Sequence, residues 1–96
     1  MKPGDKPIVN PVVVLREEFD DWAVLFNPDT ADAVGVNPVG VTVWKHLDGD
    51  HDLAALVTAV RASFTEVASD VEDDVTQFVD QLLDGGFAGH EWPKEQ

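Results

Sequence analysis

Cysteine is absent from the 96 residues. No disulfide framework, thiolate metal site or cysteine nucleophile can exist, and the fold rests on packing alone. Basic residues are scarce: 6 Lys and Arg stand against 19 Asp and Glu, a formal charge of -13. Such a charge repels phosphate backbones and anionic lipid surfaces, which weighs against nucleic acid and membrane as partners and leaves a solvated acidic face or a basic partner. No apolar run approaches the roughly 20 residues that cross a bilayer, and Met1 to Pro7 has no apolar segment behind its lysines. The reading is a soluble, unexported, cytoplasmic chain. Catalytic signatures are missing too. His46, His51 and His90 form no helical pair for zinc, and no phosphate-binding glycine loop or G-x-S-x-G is present. Asp48, Asp50 and Asp52 alternate like a calcium loop, but Leu53 replaces the required Gly and Ala59 the closing Glu. No cofactor is expected, and the chain is not read as an enzyme.

What is present divides into strands and then helices. At 44% hydrophobic residues the composition is that of one globular domain. Residues 1–10, rich in Pro, Gly and Lys, read as a flexible arm; residues 11–88 form the domain, and 89–96 a frayed tail. Val12 to Leu15 is a β-branched run. Arg16 to Asp21 makes a polar loop, and Trp22 to Phe26 a second strand whose two faces are both expected to be at least partly covered. Asn27-Pro28-Asp29-Thr30 has tight-turn chemistry, so the third strand, Asp32 to Val36, forms a hairpin with the second. Val34 and Val36 share one face of it. Ala33 and Gly35 leave the other nearly bare, on an edge that no proline blocks.

Three helices follow. Asn37 caps the first, Pro38 suits its opening position, and Gly49 is expected to end it. Asp52 caps the second, whose stripe is Leu53, Leu56, Val57, Val60 and Phe64. Ser69 to Glu72 reads as a capping box for the third, and the acidic residues Asp70, Glu72, Asp73 and Asp74 suit a helix start electrostatically. The third helix's broad stripe, Val71, Val75, Phe78, Val79, Leu82 and Leu83, runs to Gly85-Gly86, with Phe87 closing the core. The fold class is α+β, a winged-helix-like arrangement of a three-stranded antiparallel sheet followed by three helices. The usual partner of a winged helix is DNA, but the third helix has no Lys or Arg between Ser69 and Gly85.

Three stretches in fixed order, Leu25 to Thr30, Val36 to Gly49 and Asp74 to Phe87, resemble the PqqD-like family of small peptide chaperones, also called recognition elements for ribosomally made precursor peptides. The family pattern is a Leu-Asn-x-Thr/Ser-Gly-x-x-Ile/Val-Trp-x-x-x-Asp-Gly segment, then Asp-Val-x-x-Phe-Leu-x-x-Leu and a closing Gly-Leu. Here Val36 stands for the first Leu, Val39 for the Thr or Ser, and Gly86-Phe87 for the closing pair. Arg16 to Phe26 further looks like the SynChlorMet cassette branch. The resemblance implies a non-catalytic protein that binds the leader segment of a precursor peptide and presents it to a modifying enzyme, commonly a radical-SAM enzyme; any cofactor would belong to that enzyme. It implies that the leader adds as a strand to Ala33, Val34, Gly35 and Val36 and rests on Val71, Val75 and Phe78, with Ala33 and Gly35 leaving it space. The alternatives are an acidic adaptor or regulatory subunit that touches only a partner enzyme and, less favoured, a winged-helix DNA binder. Homodimerisation through the same open edge stays open.

Overall fold

A computed structural model describes residues 4–18, 22–67 and 69–90. Strands β2 (Val14–Glu17), β3 (Ala23–Asn27) and β4 (Asp32–Val36) form an antiparallel meander in the order β2-β3-β4. Leu15 lies opposite Leu25 and Leu25 opposite Val34, so these three side chains share the face turned to the helices. Helices α1 (Pro38–Lys45), α2 (Leu53–Ser63) and α3 (Val71–Asp84) follow. The α+β class and the element order agree with the sequence reading.

The β3–β4 connection is held by Asn27, which is buried. Its Oδ1 accepts from Asp29 N–H at 2.9 Å, and its carbonyl accepts from Ala31 N–H at 2.7 Å. Asn27 thus bonds the backbone ahead as its side chain suggests. The loop extends to Ala31, a non-glycine residue at φ 64°. Asn37 and Asp52 cap as expected, with Oδ1 accepting from Gly40 N–H at 2.8 Å and from Ala55 N–H at 2.9 Å.

The core is a layer of Leu25 and Val36 from the sheet, Val43 and Leu47 from the first helical region, Leu56 and Val60 from α2, and Val75, Val79 and Leu82 from α3, all buried. Phe87 closes it as predicted, just past Gly86 at φ 80°. Complete burial of one such aliphatic side chain contributes about 1.5–3 kcal/mol.

Three expectations need correction. First, residues 8–10 are not part of a loose arm. Ile8 and Pro7 are buried, and β1 (Ile8–Val9) pairs antiparallel with β5 (Ala88–Gly89), drawing Gly89 out of the expected tail. Val9 N–H donates to Leu47 O at 3.0 Å, Asn10 N–H to Phe87 O at 2.9 Å and Asn10 Nδ2 to Gly86 O at 3.0 Å. A two-residue strand has no periodicity to read, and its partner lies at the far end of the chain. The remainder of the arm and tail, residues 1–3 and 91–96, lies outside the described residues, as do Phe19, Asp20 and Asp21 of the β2–β3 loop.

Second, α1 stops at Lys45, with His46 N–H donating to Val43 O at 3.0 Å. Gly49 does adopt φ 86°, but it serves the α1–α2 connection, where its N–H donates to Pro7 O at 3.1 Å. Third, the capping box does not form. The α3 N-cap is Asp70, near-helical at φ -100° and ψ 26° and without a side-chain cap bond. Ser69 is thereby one position too early, and Glu72 cannot return to it. The two faces of β3 are covered unequally, as the partial covering expected of both allows: Ala23 and Leu25 are buried, whereas Val24 is half-buried and Phe26 37% exposed. The helices stack on one side of the sheet and nothing described lies on the other.

Candidate functional site: an open strand beside an apolar groove

Strand β4 pairs with β3 along one side and with no described strand along the other. Its inward residues are anchored, Val36 buried and Val34 half-buried, while Ala33 and Gly35 are exposed. No heavy atom beyond its immediate neighbours lies within 4 Å of where a Gly35 Cβ would stand. The strand is therefore fixed in position by its inner face and bare at Gly35 on its outer one.

Where β4 ends, Asn37 turns the chain into α1 and opens a groove of about 260 Å³ between α1, α3 and the α2–α3 connection. Val71, Val75 and Phe78, named from the sequence, all line it. Val71 and Val75 are buried and form its floor; Phe78 is half-exposed. Ala33, Val34, Gly35 and Val36 do not line the groove but lead directly to it. Sequence reasoning missed the opposite wall, Val39, Gly40 and Val43, and the far end, Phe64, Glu66, Val67 and Asp74.

Gly40 was the available signal. Glycine inside a helix costs about 1 kcal/mol relative to alanine, so a helical glycine points to a close neighbour. A Cβ on Gly40 would stand 2.5 Å from Val36 Cγ1 and 3.2 Å from Phe78 Cζ. The residue is where β4, α1 and α3 converge. Phe64 and Val67 carried a weaker signal, since they lie past the end of α2 where a helical stripe no longer predicts a direction.

The polar features elsewhere have local explanations. His51 Nδ1 donates to Asp48 Oδ1 at 2.8 Å, which holds the Asp48 carboxyl below the usual carboxylate range against the opposing effect of burial. His46 Nδ1 donates to Thr42 O at 2.8 Å, and its ring stacks edge-on to His51 with centroids 5.2 Å apart. Among the described residues no three metal-binding side chains converge, and no helix is long and apolar enough to cross a membrane.

Residues 23–88, from the buried start of β3 to β5, match the sequence profile of PqqD, coenzyme PQQ synthesis protein D. The chain belongs to the PqqD family. All three stretches that carried the resemblance, Leu25 to Phe87, fall inside the matched span. No curated protein matches the sequence. Among solved structures, this PqqD-family chain is similar to TbiB1 in complex with the TbiA(beta) leader peptide, with a TM-score of 0.70 and 23% identity over 90% of this chain and 99% of that one. The two share a fold across almost their whole length.

Proposed function

We propose that this PqqD-family chain is a non-catalytic peptide chaperone, which binds the leader segment of a ribosomally made precursor peptide by strand addition to β4 and presents it to a modifying enzyme of the radical-SAM class in the cytoplasm. The observation that carries the reading is the β4 edge, unpaired with any described strand, which leads into the groove of Val71, Val75 and Phe78. The TbiB1 structure, a leader-peptide complex of the same fold, supports it. Strand addition supplies backbone hydrogen bonds of generic affinity, and side-chain pockets select the peptide. Val34 and Val36 hold the accepting edge in register, since a one-residue slip would carry both out of the core.

The test is an amide chemical-shift titration of the isotopically labelled protein with leader segments from short genes encoded beside its own. Shifts concentrated on Ala33 to Val36 and on Val71 to Phe78 are the expected result. Leaders N-methylated at alternate residues, which lose the outward-bonding amides, bind in one phase of the alternation and fail in the other. If no leader perturbs β4 and the acidic surface responds only to a neighbouring enzyme, the protein is an adaptor instead.

A further inference from the structure

The groove beside β4 has a charge asymmetry that its apolar walls do not explain. Among the described residues its only charged lining residues are Glu66 and Asp74, both acidic and both exposed, and no described Lys or Arg lines it. Neither carboxylate is in an ion pair among the described residues, whereas Arg16 and Lys45 are engaged with Glu18 at 3.9 Å and Glu17 at 3.2 Å. Complementing the start of α3 accounts for acidic residues in its first turn. It does not account for Glu66, which precedes the helix in the α2–α3 connection yet faces the same groove as Asp74.

Resting on the peptide-binding reading above, we infer that the groove selects a leader carrying an apolar side chain and, two residues from it on the same side, a Lys or Arg. The apolar side chain sits between Val39, Val43 and Phe78. About 260 Å³ is ample for it, since a cavity of about 150 Å³ holds benzene. The cation sits between Glu66 and Asp74, where the adjoining apolar walls strengthen the field of the two carboxylates. The spacing follows from the helix. Asp74 and Phe78 are four residues apart on α3, a rise of about 6 Å. An extended segment along α3 places same-side residues about 6.6 Å apart when they are two positions apart. The strongly negative chain attracts any basic peptide at long range; the groove adds a fixed position for the charge.

A library of randomised 12-residue peptides displayed on phage, selected against the full chain at physiological salt, tests this. Enrichment of a basic residue two positions from an apolar one is expected. Asp74→Lys is expected to weaken the enriched peptides about tenfold or more and to select acidic residues at that position, since it replaces attraction with repulsion. Glu66→Lys, outside the helix, does the same without placing a cation in the first turn of α3. Asp84→Lys, which makes the same change in net charge at the other end of α3, leaves the preference intact. Enrichment of apolar peptides without a charge preference, or an equal loss in Asp84→Lys, overturns the inference and leaves strand addition standing. Failure of any peptide to perturb Ala33 to Val36 or the groove overturns both.

Discussion

The described residues form two small sheets, and they differ in how they are tied into the fold. The β1–β5 ribbon joins the two ends of the described chain and is tied in by bonds from Val9 to Leu47, Asn10 to Phe87 and Asn10 to Gly86, with Ile8 buried beneath it. The β2-β3-β4 meander is tied to the core through one face, and β4 has no described strand along its outer edge. The ribbon's hydrogen-bonding groups serve the fold, whereas those along the outer edge of β4 face no described strand. An unprotected edge is a liability for a solitary protein, and strand addition by a peptide, as proposed above, would cover it.

The largest expected effect breaks the ribbon without touching the edge. Ile8→Ala removes a buried side chain and is expected to destabilise the protein by about 2–4 kcal/mol in urea unfolding, within the usual range for such truncations. Peptide affinity, measured under conditions where the variant is folded, stays that of the parent. Loss of affinity in the folded variant would mean that the two regions are coupled. Gly40→Ala acts where β4 meets the groove. Its new methyl must displace Val36, a stiff side chain, and press on Phe78, so a loss of about 1–3 kcal/mol is expected, with a drop in peptide affinity that Ile8→Ala does not show.

Ala31→Gly relieves the positive φ in the loop that leads into β4 and is expected to stabilise by about 0.5–1 kcal/mol, read as a higher urea midpoint at unchanged slope. The smallest effect belongs to the ribbon side, where Asp48 bridges Ile8 and accepts the His51 hydrogen bond. Because that bond depresses the folded pKa of Asp48, its contribution is present above about pH 4 and is lost as the pH falls through the folded value. In His51→Ala the Asp48 carboxyl titrates nearer the usual range, which carbon-detected NMR reads directly; an unmoved titration would remove His51 as the cause.

Legibility from the sequence followed the same division. The meander and helices were readable because their signals are local: alternation in Trp22 to Phe26, the turn chemistry of Asn27 and Pro28, the caps Asn37 and Asp52. Val71, Val75 and Phe78 were readable as part of one stripe because one helical face must carry them together, while their place beside a peptide came from the family resemblance. The ribbon was not, since Ile8 and Ala88 are far apart in sequence and two-residue strands have no period. The groove's second wall was hidden for a related reason. Val39 and Val43 fit a helical stripe whether they face core or solvent, and only three-dimensional convergence at Gly40 distinguishes the two. The misplaced start of α3 has a local cause, since Ser69 and Asp70 are both competent caps and packing of Val71 and Val75 decides between them.

The ribbon has one more consequence. Ile8 and Gly89 are paired neighbours across an antiparallel ladder, about 5 Å apart between Cα atoms. Chain entry and exit therefore lie side by side. A short linker joining those two positions would permit circular permutation, with new termini cut in an exposed loop. The same geometry lets the unit be spliced into a surface loop of another protein without stretching the host, carrying the β4 edge with it as a transplantable handle.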